Sequence, residues 1–301
     1  MPRLTRRGAL AVPLAATGAL PFLAPFLAGP AHAAAESRWF ATSDGARLHY
    51  LEAGRPDGRS GARTLVFVPG WSMPAWIWSP QLDAFGGRFR AVALDPRGQG
   101  ESEVTPGGYT QDRRGADIGE LIARLGGGPV VLVGWSLGVL DSLAYLHDYG
   151  DSRIAGLVLV DNSIGEDPPP TPPRGGAAGP RLSREARMAG FVRGMFREPR
   201  SAAYLDRLTE DALRLPEPAS RALLRYPVPR SYWREAVYST RKPVLYVVRP
   251  RFAGQADNLA RNHPNAETVI VPDAGHAMFV DQPARFNAML LDFIQRRVWP
   301  S

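Results

Sequence analysis

The sequence predicts an α/β protein: a mostly parallel, doubly wound sheet with a helical cap inserted between two of its strands. Three observations carry this expectation. Four short apolar runs, at 64–68, 89–95, 129–133 and 154–161, recur through the first half of the chain. Segments with helical periodicity separate the last three of them. Continuous Val/Leu-rich runs alternating with amphipathic helices are what a parallel sheet covered on both faces requires. Then, from 162 to 241, the rhythm breaks, and this interval is far longer than an ordinary connection.

The elements follow in order. The first 35 residues have a basic head with Arg3, Arg6 and Arg7, an Ala/Leu/Pro-rich apolar stretch and then Ala31-His32-Ala33. Small residues at the first and third of those positions suit signal-peptidase cleavage. Thr5-Arg6-Arg7-Gly8 resembles the twin-arginine export motif of bacteria, so an exported, periplasmic or secreted protein is expected. Pro13, Pro21 and Pro25 argue against a permanent spanning helix. Two strands then meet at Asp44-Gly45, a strong hairpin signal. The helical segments "DRRGADIGELIARLG" and "LGVLDSLAYLHDYG" come next. The interval 162–241 opens on a Pro/Gly-rich linker and continues with helical patterns, read together as the cap. Two late strands, 243–248 and 266–272, and a helix over 283–297 close the core, which spans 36–161 and 242–301.

Composition bounds the function. The chain has 301 residues and no Cys, which excludes disulfides, thiolate metal sites and Cys nucleophiles. The net charge is +7, but the arginines are scattered and form no recognisable nucleic-acid module, so no nucleic-acid partner is expected. No His/Asp cluster has metal-ligand spacing, and no glycine-rich dinucleotide loop is present, so no metal and no cofactor are expected. The sequence leaves the oligomeric state open.

The chemistry centres on Gly134-Trp135-Ser136-Leu137-Gly138. This G-x-S-x-G lies between an apolar strand and a helix, the context that leaves a serine exposed on a sharp turn at the sheet edge. Such a serine needs a base. Of His49, His147, His263 and His276, only His276 follows the last strand and so reaches the edge that presents Ser136. Negative charge developing on a substrate carbonyl needs two backbone donors. Leu137 N–H is one, and Trp71 N–H, after Pro69-Gly70, is the other, with Ser72 N–H as the alternative.

Three motifs in this order resemble the α/β-hydrolase superfamily: Gly134 to Gly138, then "D-x-R-G-x-G-x-S" at Asp95 to Ser102, and Ala274-Gly275-His276. The resemblance covers roughly 38–299. It implies an α/β-hydrolase fold and a serine hydrolase acting on a carboxylic ester or lactone. The same machinery in the superfamily also supports cofactor-free haloperoxidase or perhydrolase activity and C–C hydrolysis. A non-catalytic ligand-binding protein is the alternative of another class. One departure is visible, since relatives commonly carry His-Gly where this chain has Pro69-Gly70. Most relatives place the acid of the triad soon after the penultimate strand, where residues 249–252 carry none. Asp257 comes late, and Asp161 ends the earlier strand, a position some members use. Asp161 is the first candidate, Asp257 the alternative, and a dyad without an acid is the third reading. Trp71, Trp76, Trp78 and Trp135, with Met73 and Ile77, fall near this edge or its loops and suggest an apolar substrate pocket, for which Trp71, Met73, Trp76 and Trp135 are the candidates; at least two of the six are expected to be core instead. Met188, Phe191, Met195 and Phe196 are expected on its lid side. The expected partner is a small apolar ester or lactone.

Overall fold

The structure is a computed structural model that describes residues 35–54, 63–126, 128–169 and 182–300. The amino-terminal export segment and most of the Pro/Gly-rich linker read in the sequence lie outside the described residues. Eight strands form one sheet: β1 (Glu36–Ala41), β2 (Arg47–Ala53), β3 (Thr64–Val68), β4 (Arg90–Asp95), β5 (Val130–Trp135), β6 (Ile154–Val160), β7 (Val244–Val248) and β8 (Ala266–Ile270). Their spatial order is β1-β2-β4-β3-β5-β6-β7-β8. β2 pairs antiparallel with both β1 and β4, and every later pairing is parallel. The helices, in chain order, are α1 (Ser79–Phe85), α2 (Gln111–Arg124), α3 (Leu137–Tyr149), α4 (Arg184–Gly194), α5 (Ala202–Leu213), α6 (Glu217–Ala222), α7 (Arg230–Ser239), α8 (Ala253–Asn262), α9 (Met278–Asp281) and α10 (Pro283–Phe293).

The pleat of each central strand divides its side chains between two cores. Val66 and Val68 of β3 join a cluster with Ile118, Leu143 and Leu259 of α2, α3 and α8. Leu65 and Phe67 of the same strand face the other way, onto Leu82 of α1 and Phe286 and Leu290 of α10. All five residues of β3 and of β7 are therefore buried, which is why their sequences read as unbroken apolar runs.

Helix α7 falls inside the interval read as the cap, yet Trp233, Ala236 and Val237 pack into the core cluster beside α3. Its apolar face packs against α3, a helix of the core, and not against the other helices of the interval. The inserted helices over the carboxyl edge are thus α4, α5 and α6. Two indoles hold them down: Trp71 Nε1 donates to Ser220 O at 2.8 Å, and Trp76 Nε1 donates to Asp211 Oδ2 at 2.6 Å.

The Asp95–Ser102 motif braces the loops of this edge through buried charge. Arg97, 1% exposed, pairs with Asp117 and Asp44, each at 2.9 Å. Arg114 of α2 pairs with Asp141 of α3 at 2.5 Å, both fully enclosed, and burial pushes the Asp141 carboxyl above its ordinary range despite the arginine. Removing one partner of such a pair strands the other charge. Arg114→Met is accordingly expected to lower the unfolding free energy by about 3–5 kcal/mol in urea titrations at pH 7. The Arg114→Met/Asp141→Leu double variant should cost less than the single one.

Candidate active site

β5 runs into α3 with a single residue between them, Ser136, at φ 54° and ψ −121°. This left-handed backbone is unusual for a residue with a side chain. The turn can be this sharp because its flanks have no Cβ: one added at Gly134 would lie 2.3 Å from Gly138 O, and one at Gly138 would lie 2.3 Å from Val68 O. Two bonds fix the serine backbone. Ser136 N–H donates to Val160 O at 2.9 Å, and Asn162 Nδ2 donates to Ser136 O at 2.8 Å. The hydroxyl is left partly exposed at the carboxyl edge.

His276 lies in the loop between β8 and α9. Its Nε2 is 2.9 Å from Ser136 Oγ and its Nδ1 is 2.6 Å from Asp161 Oδ2. With the Nδ1 proton donated to the carboxylate, Nε2 is the acceptor for the serine hydroxyl. The loop is held by Asp281, whose Oδ2 accepts Gly275 N–H at 2.8 Å, and by Ala277 N–H, which donates to Met195 O at 3.0 Å. Asp161 follows β6 directly, also with positive φ (52°), and is 1% exposed.

Asp161 has a second partner, one the sequence reading passed over. Arg249, the first residue after β7, donates its backbone N–H to Asp161 Oδ1 at 3.0 Å and its Nε–H to Asp161 Oδ2 at 2.6 Å. Its Nη2 lies 3.4 Å from His276 Nδ1. Burial pushes the Asp161 carboxyl up, but the His276 hydrogen bond and the neighbouring Arg249 charge outweigh it, and the net direction is below the ordinary carboxylate range. The alternative acid, Asp257, is exposed on α8, and its side chain makes no bond to His276. That alternative is corrected: a residue nine positions past the strand is carried away from the edge by α8.

The loop after β3 brings Gly70 against the serine; a Cβ there would lie 2.9 Å from Ser136 Cβ. Among the described residues, the amides of Trp71 and Leu137 have no intramolecular acceptor. Ser72 N–H, the alternative donor, is instead committed to Gln99 Oε1 at 3.1 Å. Gln99 also donates from Nε2 to Gly70 O at 3.0 Å and Met73 O at 2.9 Å, so one side chain of the Asp95–Ser102 motif clamps this whole turn.

The expected pocket residues divide. Trp71 is partly exposed and walls a cavity with Met188 and Phe191. Trp76 is also partly exposed but faces the cap, edge-on to Tyr204. Met73 and Trp135 are corrected: both are core, 0% and 1% exposed. Trp135 sits behind the base, its Nε1 donating to His276 O at 2.8 Å. On the lid side, Met195 is likewise buried.

A second chain of the same residue types lies at the antiparallel end of the sheet. Ser37 Oγ is 2.7 Å from His49 Nε2, and His49 Nδ1 is 2.6 Å from Asp95 Oδ2. Ser37 is on an edge strand, with no helix start beside it.

Comparison with known proteins gives the family and the fold. Residues 65–289 match the model of the alpha/beta hydrolase family. A non-heme haloperoxidase of Rhodococcus erythropolis is 34% identical over 39% of this chain. That alignment covers 41% of the relative, so the chain spans about two fifths of its length. Among solved structures, an esterase of a Rhodococcus species superposes with a TM-score of 0.71 at 23% identity, over 87% of this chain and 99% of its own. A bromoperoxidase of Bacillus anthracis gives 0.71 at 20% identity, over 86% and 100%.

The lowered Asp161 carboxyl has a stability consequence with a definite sign. A depressed folded-state value stabilises the fold above the ordinary 3.8 and loses that contribution as pH falls through the lowered value. The difference in unfolding free energy between wild type and Asp161→Asn should therefore shift as the pH drops below 3.8, in the direction of a relatively weaker wild type. Denaturant titrations of both proteins across this range check it; a difference that moves the other way contradicts it.

Proposed function

The chain belongs to the alpha/beta hydrolase family, and on that premise we propose that it is a serine hydrolase that cleaves a carboxylic ester or lactone. The observation that carries this reading is the hydrogen-bonded line from Ser136 through His276 to Asp161, at a turn where the Trp71 and Leu137 amides have no intramolecular acceptor among the described residues. Ser136 Oγ attacks the carbonyl carbon while its proton passes to His276 Nε2. Asp161 holds the imidazole in the tautomer that can accept it and stabilises the imidazolium. The Trp71 and Leu137 amides take the oxyanion, aided by the start of α3. Collapse of this intermediate expels the alcohol, protonated by His276, and leaves an acyl-serine. Water, deprotonated by the same histidine, then releases the acid and restores Ser136.

A second reading is favoured by two of the similar proteins. Interception of the acyl-serine by hydrogen peroxide in place of water would release a peracid, which oxidises halide without a cofactor. The haloperoxidase and bromoperoxidase names belong to those proteins. Comparing peracid formation with ester hydrolysis in the same preparation decides which nucleophile this site prefers. A third proposal concerns location. Arg6-Arg7 and the apolar stretch after it support export, and Arg6→Lys/Arg7→Lys should leave the protein in the cytoplasmic fraction.

Labelling with a fluorophosphonate, followed by peptide mapping to separate Ser136 from Ser37, tests the nucleophile. Label on Ser136 that disappears in Ser136→Ala is the expected result; folded protein that takes no label at this residue is a binder, not an enzyme. For the acid, Asp161→Asn should cost about four decades in kcat on 4-nitrophenyl esters through loss of tautomer control. Asp257→Asn should leave the rate within about twofold, as a distant exposed position does. A loss below tenfold in Asp161→Asn refutes the triad.

A further inference from the structure

A cavity of about 420 Å³ lies beside Trp71 under the cap. Its wall is apolar, made by Trp71, Met188, Phe191 and Leu224. Its rim is cationic. Arg184 and Arg187 of α4 and Arg221 of α6 line it, against a single carboxylate, Glu217. Arg187 Nη2 at 3.2 Å and Arg221 Nη2 at 2.5 Å both bond the same oxygen, Glu217 Oε1. Arg184 has neutral partners, donating to the carbonyls of Leu213 and Leu215. The hydrogen bond from Arg221 first, with the charges of the neighbouring arginines, holds the Glu217 carboxyl below its ordinary range, so it stays ionised at neutral pH. Even so, the rim carries two positive charges more than negative ones. Guanidinium groups that already share one carboxylate oxygen still have fork-shaped N–H pairs to offer a second.

Trp71 ties this cavity to the candidate site. Its amide, a proposed oxyanion donor, follows the Gly70 that abuts Ser136, while its indole bonds Ser220 in the cavity wall. The cavity therefore begins one side chain away from the reacting carbonyl. A ligand that fits both parts has an apolar body next to the scissile bond and an anion at its far end.

We propose that this cavity binds the remote end of the substrate and that this end is a carboxylate, which makes the preferred substrate an anionic amphiphilic ester, not the wholly apolar one expected from the sequence. This proposal rests on Ser136 being the hydrolytic nucleophile. The arginine rim sets KM and leaves kcat to the triad. Glu217 acts as a place-holder that the substrate carboxylate joins or displaces.

Two matched pairs of esters test it, one for each end of the molecule that could carry the charge. The acyl pair is the 4-nitrophenyl monoester of hexanedioic acid against 4-nitrophenyl hexanoate. The alcohol pair is the acetate ester of 6-hydroxyhexanoic acid against hexyl acetate. In at least one pair, the wild type should favour the charged member in kcat/KM by about tenfold or more. Arg187→Gln/Arg221→Gln should raise KM for that member about tenfold and change the neutral one by less than twofold. Both positions are exposed, so folding is not at risk. Glu217→Gln should lower KM for the charged ester, and raised ionic strength should erode the preference. Equal or better use of the neutral member in both pairs, or a preference indifferent to the arginine replacements, overturns the proposal. Absence of turnover with all four esters tells against the hydrolase reading instead. In that event calorimetry with the anilide of hexanedioic acid against hexananilide still decides the cavity: tighter binding of the charged anilide, lost in the double arginine variant, upholds it, and equal binding overturns it.

Discussion

The carboxyl edge of the sheet is built on close approach of strand ends that leaves no room for relaxed backbone. β3, β5 and β6 stop within contact of one another, and the chain must leave each of them abruptly. Among the described residues, the only positive φ values outside glycine fall at Ser72, Ser136 and Asp161, all on this edge. Each such residue costs on the order of 1–3 kcal/mol, so it persists only where its surroundings over-determine it. Here they do. Gln99 clamps the turn at Ser72, the Val160 carbonyl and Asn162 hold Ser136, and Val247 O with Arg249 holds Asp161. The strain aims the side chains; the hydrogen bonds keep it from being released.

Charge is organised by the same strand ends. The carboxylate after β6 lies between an imidazole and a guanidinium, each 2.6 Å from the same oxygen. Arg249 occupies the end of β7, next to β6, so the carboxylate and its cation come from neighbouring strands and their separation is set by sheet spacing. The relay at Ser37, His49 and Asp95 shows what such a line lacks when it lies elsewhere. It has comparable distances, but its serine sits in a regular edge strand with ordinary backbone, away from any helix start. Distances alone do not distinguish the two; the strained turn and the unengaged amides do.

The parts of this arrangement legible in the sequence are those written in local pattern. Buried parallel strands announce themselves because both faces are apolar, and the turn at Ser136 because glycines must flank it. His276 was reachable by elimination, since it alone follows the last strand. The choice of acid was not local. It depends on β6 and β7 being neighbours, which places Arg249 over Asp161 and sends Asp257 away on α8. Trp135 and Met73 looked like pocket residues because they flank the reacting groups in sequence, but alternation along the strand turns Trp135 inward. Helix α7 has the amphipathic pattern of its cap neighbours, and only its packing against α3 separates it from them. Gln99 stood inside a motif already noticed, yet nothing in the spacing says that its amide spans the loop after β3.

The division of labour between core and cap has one more consequence. Ser136, His276, Asp161, Arg249 and the two amides all stand on strand ends, their loops or the start of α3, whereas α5 and α6 are pinned to that edge through the indoles of Trp76 and Trp71 and α4 packs on α5. Mutational drift in the inserted helices can thus reshape what lies over the edge while sparing the edge itself, so long as Met195 O, just past α4, still accepts from Ala277 beside His276. Lineages, or protein engineers, can exchange the roof while the hearth stays lit, provided the replacement offers acceptors for those two tryptophans.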